Sequence, residues 1–447
     1  MINYPLNMKV LLIALWGLFS FTVPAFLSDD RDVQNGLSLL ILFAGLWMTE
    51  IFPLAVTALF VPVMAFLLHI FTAKEAMAPF SSTIIYLFMG GFTLAALLNK
   101  YGIDKWLAGG MVKLTQGHLW LSVIGFFLVT SFLSMWMSNT STTAMMLPIA
   151  MGLVGKEFPR MRTYIILGTA YCANVGGLAT VVGSPPNGIA AAALDLDFVS
   201  WLKVGLPSTI ILFPVVVSAL WWGLKPEANA QLQSFKLDEK MIWSPQAKGA
   251  VLLFAFTVIG WIFSKQIGQW LDLTKVDRMV AIAITAFAPA LGLIKWKELE
   301  AKIDWGILLL FGAGLCLSAV LAATGTSEWL AGEVLTLFSD SADWVLILSC
   351  IGLMIFLTEL ASNTGSAAIL IPVMYAMANQ FNPAITYTLV FGVGVAATCA
   401  FMLPVATPPN ALAYGTGEVS QKYMLKVGFI INVIAIFAVY LCVVTFS

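Results

Sequence analysis

SMWMSNTSTTAMMLP at positions 134–148 and TELASNTGSAAILIP at positions 358–372 share a Ser-Asn-Thr, Ser138-Asn139-Thr140 and Ser362-Asn363-Thr364, set 224 positions apart. Working outward, Pro148 recurs as Pro372 at the same offset. Pro185-Pro186-Asn187 recurs as Pro408-Pro409-Asn410, and Trp106-Leu107-Ala108-Gly109 as Trp329-Leu330-Ala331-Gly332, both at an offset of 223. Phe88-Met89-Gly90-Gly91 matches Phe311-Gly312-Ala313-Gly314 in the same register. Matches in one order at a nearly constant offset mark an internal duplication.

The material between these motifs is apolar. Of 447 residues, 60% are hydrophobic and 10% are charged, against about 25% charged in soluble domains. Apolar runs of roughly 17–25 residues suffice to cross a bilayer as helices. The chain therefore reads as an all-α polytopic membrane protein. About eleven spans are expected, near 9–27, 35–52, 53–71, 81–99, 163–193, 204–224, 247–270, 279–295, 304–323, 384–413 and 424–446. Segments 119–155 and 343–378 are too long for one helix and break at their Ser-Asn-Thr, so they read as re-entrant hairpins. The run 9–27 has one lysine before it and no small-residue cleavage site, and is read as a retained span, not a leader.

Several function classes fall away. A net charge of −1 gives nucleic acid no electrostatic purchase. The five cysteines stand far apart in apolar runs and read as small core residues, and two histidines are too few for a metal centre. No nucleophile–base pair argues for an enzyme.

Lysine and arginine set the expected orientation. With a cytoplasmic N-terminus and two hairpins that enter without crossing, only Arg31, Lys74, Lys203, Lys265, Lys275 and Arg278 of the 22 Lys and Arg fall outside. A hairpin that crossed would reverse every later loop and erase the bias. The C-terminus is then external. The first Trp-Leu-Ala-Gly sits among Lys100, Lys105 and Lys113, the second among Glu328, Glu333, Asp340 and Asp343. The copies thus face opposite sides, and the halves are inverted-topology repeats, the plan of secondary transporters that alternate access around a midplane site. The first span has no counterpart. The polar stretch from Lys225 to Lys248 divides the halves.

A single Ser-Asn-Thr is a common tripeptide that reads as a loop or cap, and Pro-Pro in a membrane helix is often only a kink. Duplication in inverted halves favours function. Irregular backbone at membrane depth is tolerated only inside protein or along a wet cavity. Ser and Asn are strong N-caps, and the helix each tip starts offers free N–H groups to a carboxylate. The carbonyls that end the preceding helix, with the Ser and Asn oxygens, suit a hard cation such as sodium, and Asn can bridge cation and anion. Ser134 and Thr358, four residues before Ser138 and Ser362, share their helix face and are candidate oxygen ligands. Pro185-Pro186 and Pro408-Pro409 break their helices and free carbonyls, and each tip is expected to face the broken helix of its own repeat. Glu50 is read as a boundary residue between two spans. Glu359, three residues before Ser362, is read either as a partner for backbone groups or as a proton carrier.

The paired tips and paired Pro-Pro-Asn breaks resemble the divalent anion/sodium symporter family, which includes bacterial sodium-coupled dicarboxylate transporters. The resemblance spans essentially the whole chain. It implies a homodimer in the bacterial inner membrane that works as an elevator importing C4-dicarboxylates such as succinate, malate or fumarate with sodium ions. The scaffold would comprise 1–116 and 225–342, and the moving transport part 117–224 and 343–447. The segments at Trp106 and Trp329 resemble the horizontal arms that join the two. One sodium site would use Ser134, Ser138, Asn139 and Gly183, the other Thr358, Ser362, Asn363 and Ala406. The dicarboxylate would lie between the tips on Asn139, Thr140, Asn363 and Thr364, with Thr407 and Pro408 nearby. No cationic side chain stands near either tip, so sodium would have to precede the dianion. Citrate, sulfate or another divalent anion, or sodium-independent exchange, remains open on the same plan.

Overall fold

The computed structural model of the chain describes residues 6–114, 118–233, 242–338 and 342–446. The middle of the polar linker, with Lys236 and Lys240, lies outside the described residues, as do Asp340 and the boundary at 116–117. Within them the chain is helical apart from one isolated bridge, Val154 to Leu232.

Helix starts follow local chemistry. Proline opens Pro159–Gly176, Pro185–Ala193, Pro245–Ile262, Pro383–Ala396 and Pro408–Gly415, where its missing N–H costs nothing and its φ is already helical. Asp30, Asp197 and Ser244 cap Arg31–Thr49, Phe198–Leu224 and Pro245–Ile262 through their side-chain oxygens. Glu50 ends Arg31–Thr49 in the left-handed region, at the turn expected there.

Among the described residues, seven helices are long and apolar enough to cross a membrane: Val10–Leu27, Ala73–Lys100, Phe198–Leu224, Pro245–Ile262, Trp305–Ala323, Asp343–Leu360 and Gln421–Phe446. The eleven expected spans include stretches that the structure divides. The runs 163–193 and 384–413 each become two helices separated by irregular chain, and 247–270 turns at Phe263. Leu54–Leu67 is apolar but shorter. Asp343–Leu360, expected as one arm of a hairpin, has 18 residues and meets the criterion for a span by itself.

The duplication is structural. Ile103–Leu114 corresponds to Thr326–Phe338, and Leu119–Ser134 to Asp343–Leu360. Asn139–Leu153 corresponds to Asn363–Phe381, and Phe198–Leu224 to Gln421–Phe446. Leu54–Leu67 packs on Trp305–Ala323, while their counterparts Val276–Ala290 and Thr83–Lys100 pack on each other. Such reciprocity is the signature of a two-fold relation. Phe88 and its counterpart Phe311 touch edge to face, with ring centroids 4.6 Å apart, and so sit where the pseudo-axis passes. Phe198–Leu224 also packs along its own counterpart, Gln421–Phe446. All five cysteines are buried and unpaired, as small core residues.

Candidate functional site

Both tips form as expected. Leu119–Ser134 and Asn139–Leu153 are joined by the turn at 135–138, and Asp343–Leu360 and Asn363–Phe381 by Ala361 and Ser362. Ser138 Oγ accepts from Ser141 N at 3.2 Å, and Ser362 Oγ accepts from Gly365 N at 3.4 Å. The two serines are N-caps, each leaving the new helix with its N–H groups directed toward the turn. Ser134 Oγ donates to Asn139 Oδ1 at 2.7 Å, and Thr358 Oγ1 makes the equivalent contact with Asn363 Oδ1.

Each tip meets the broken helix of its own repeat. Thr180 Oγ1 donates to the Met135 carbonyl. Gly177 lies so close to the first tip that a Cβ there would stand 2.2 Å from Asn139 Oδ1. A Cβ on Gly183 would stand 2.5 Å from the Gly177 carbonyl. Asn139 and Gly183 therefore both lie against Gly177, and Ser134 bonds to Asn139; Ser138 is exposed and bonds to Ser141. In the second repeat, Thr358 Oγ1 lies between Asn363 Oδ1 and the Ala397 carbonyl, 3.1 Å from the latter. Ala406 lies in the same break, its N–H donating to Leu403 O at 3.2 Å, as Gly183 N donates to Thr180 O at 3.2 Å.

The breaks differ in one respect from the sequence expectation. The prolines do not end a helix; they begin the next one, at Pro185 and Pro408. The chain leaves the helix earlier, after Gly176 and after Ala396. What holds the open turn is the asparagine of Pro-Pro-Asn. Asn187 Nδ2 donates to Gly177 O and Thr180 O, both at 2.8 Å. Asn410 Nδ2 donates to Ala400 O at 3.0 Å and Leu403 O at 3.1 Å. The four carbonyls are repeat equivalents. Each buried amide thus satisfies two acceptors that the break releases.

Glu359 is 2% exposed and serves the backbone. Its Oε1 accepts from Phe401 N at 2.6 Å, Met402 N at 2.8 Å and Asn432 Nδ2 at 2.7 Å, and its Oε2 from Leu403 N at 3.0 Å. Four donors converge on its two oxygens, and no lysine or arginine pairs with it among the described residues. Of the two sequence readings of Glu359, the geometry supports the backbone partner. Asn432, in an otherwise apolar stretch of Gln421–Phe446, escaped the sequence reading; a lone amide on such a helix was the available signal.

The substrate candidates divide. Thr140 is exposed and Asn139 half-buried at the first tip; Asn363 and Thr364 are both half-buried at the second. Gly365 packs on the main chain of Trp47, 3.2 Å from its carbonyl to a Cβ built there, so the second tip is covered where the first is open. Thr407 is buried, and its hydroxyl accepts from Asn410 N at 3.1 Å, beneath the break. Pro408, beside it, is exposed. A cavity of about 810 Å³ lined by Met402, Gln421, Lys422, Leu425, Lys426, Phe429 and Ile430 lies behind the second break and contains no tip residue.

Comparison with known proteins agrees with this architecture. The family model described as citrate transporter, CitMHS, matches residues 44–392 and, in a second alignment, 273–447. An uncharacterized transporter of Haemophilus influenzae is 39% identical over 420 residues, covering 91% of this chain and 90% of that protein. The sodium-dependent dicarboxylate transporter SdcS of Staphylococcus saprophyticus is 29% identical over 462 residues, covering 95% and 89%. The crystal structure of the Alcanivorax borkumensis YdaH transporter superposes with a TM-score of 0.60 over 97% of both chains at 15% identity, a likeness of fold.

Proposed function

Since the chain belongs to the citrate transporter family and is a multi-pass membrane transporter rather than an enzyme, we propose that it couples the inward movement of sodium to uptake of C4-dicarboxylates by alternating access. The observation that carries this reading is the duplicated tip. Two capped helix N-termini, each with an Asn and a Ser or Thr oxygen against an opened helix, offer positive ends to two carboxylates and oxygens to two cations. Neither tip segment, 119–155 or 343–378, contains a lysine or arginine, which makes bound sodium the natural counter-charge to a dianion. Unequal exposure of the tips, the first open and the second lying on Trp47, fits a carrier resting at one end of its cycle. The dicarboxylate assignment draws support from the sodium-dependent relative. A second reading, citrate as cargo, draws support from the family's description.

The test is uptake of labelled succinate into proteoliposomes with and without a sodium gradient, with citrate and sulfate as competitors. Sodium-driven uptake inhibited by fumarate and malate is expected. No succinate uptake, with labelled citrate taken up in its place, selects the second reading. Uptake indifferent to sodium sinks the coupling. Asn139→Ala and Asn363→Ala should each abolish transport while leaving the detergent-purified protein monodisperse; full uptake in either overturns the paired-tip site.

A further inference from the structure

Side-chain hydrogen bonds join the surroundings of the two half-sites. Helix Pro159–Gly176 belongs to the first repeat, yet two of its side chains bond into the break of the second. Tyr171 Oη donates to the Phe401 carbonyl. One turn on, Asn174 Nδ2 donates to Thr407 Oγ1 at 3.2 Å and Asn410 Oδ1 at 3.4 Å. All four residues whose side chains take part are buried. The network itself fixes the Asn174 amide. Asn410 spends both its N–H groups on Ala400 O and Leu403 O, and Thr407 Oγ1 already accepts from Asn410 N. Only a donor from Asn174 completes the set.

The copies of these two residues cannot make the reverse link. The counterparts of Tyr171 and Asn174, 223 positions on, are Gly394 and Ala397. Neither has a side chain able to hydrogen-bond. Gly394 instead lets its helix close on Pro185–Ala193, where a Cβ would stand 2.6 Å from that of Ala190. So the same crossing is polar in one direction and pure packing in the other.

The near end of the link reaches the first tip. Asn174 precedes Gly177 by about one helical turn, and Gly177 is the residue in contact with Asn139 Oδ1. A ligand that orders Asn139 thus acts on the end of a helix that also bonds, through Asn174, to Thr407 and Asn410. Asn410 in turn holds Ala400 O and Leu403 O through its Nδ2, and Leu403 O takes the Ala406 N–H. We infer that Asn174 is a positioning residue that couples the two half-sites, so that occupancy of the first sets the geometry of the second and the two cations bind cooperatively. This rests on the two-cation reading above.

The experiment is sodium activation of succinate uptake in proteoliposomes for the wild-type protein, Asn174→Ala, Asn174→Ser and Tyr171→Phe, with size-exclusion profile and thermal midpoint as measures of folding. The wild type is expected to be sigmoidal, with a Hill coefficient approaching about 2, its ceiling for two sites. In the Asn174 variants the coefficient should fall toward about 1 and the sodium half-saturation rise by about three- to tenfold, as befits one to two lost hydrogen bonds. Uptake at saturating sodium should stay within about threefold of wild type, an outcome that a merely damaged fold does not give. Tyr171→Phe, which keeps its ring against Phe401 at 5.1 Å, should show the smaller change in the same direction. Wild-type cooperativity in folded Asn174→Ser and Tyr171→Phe overturns the inference and leaves the functional reading standing. A wild type indifferent to sodium overturns both.

Discussion

Arg162→Ala is the most demanding test of how the two repeats are tied together. Arg162 is 6% exposed in the first turns of Pro159–Gly176. Its Nε and Nη2 form a bidentate pair with Glu418, beyond the second broken helix. Its Nη1 donates to Met151 O at 2.7 Å and Val154 O at 2.6 Å, the end of the first tip helix. Truncation therefore strands a carboxylate and two carbonyls together. Removing one partner of a buried pair costs about 3–5 kcal/mol. Glu418 keeps 25% side-chain exposure, so water recovers part of this and about 3 kcal/mol is expected. For a chain of this length that amounts to roughly 3–6 °C in thermal midpoint, extrapolating from smaller domains. The assay is the melting of detergent-purified protein followed by size exclusion. Arg162→Met with Glu418→Leu should recover more than half the loss, since a well-packed apolar pair often replaces a buried ion pair at little cost. The pH dependence has a definite sign. Hydrogen bonds from Arg162 hold the Glu418 carboxyl below its ordinary 4.5. A depressed pKa contributes stability that is complete above about pH 4.5 and fades as pH falls through the folded value. The gap between wild type and Arg162→Ala should then be constant from pH 6 to 8 and narrow below about pH 4.5. A midpoint unchanged in Arg162→Ala at pH 7 refutes the reasoning.

Other perturbations follow from the site. Gly177→Ala drives a methyl to 2.2 Å from Asn139 Oδ1; transport should fall at least tenfold with a smaller change in melting, measured on the same preparation. Asn187→Ala and Asn410→Ala each strand two buried carbonyls and should lower stability by about 2–4 kcal/mol, read from detergent melts. Glu359→Gln turns an amide N–H₂ toward a ring of donors; it should destabilise more than Asn432→Ala, and equal melting of the two would remove the acceptor role assigned to the carboxylate.

The architecture was legible in the sequence wherever a motif was copied. The tips and their caps lay at an offset of 224 and the facing breaks at 223, because duplication wrote each twice. The boundaries inside the broken runs were less legible. Pro185 and Pro408 marked them, but proline is equally compatible with ending a helix and with starting one, and here it starts them. The carbonyl clamp of Asn187 and Asn410 was hidden for a different reason. Its acceptors lie seven and ten residues upstream in irregular chain, where no periodicity links donor to acceptor. Tyr171 and Asn174 were invisible because their partners are in the other repeat and their own copies, Gly394 and Ala397, carry no polar side chain. Repetition shows what the halves share; it is silent on what one half does to the other.

The contact of Phe88 with Phe311 has a consequence for how the chain can be divided. Two equivalent rings that meet at the pseudo-axis bury each other, as do Phe198–Leu224 and Gln421–Phe446 along their lengths. Each half therefore finishes its interior with the other half's copy of itself. The ancestral unit that the sequence repeats is not a unit that folds: cut at the linker, either piece would leave bare the surfaces that its twin now covers, and would seek a second copy, like or unlike, to close them.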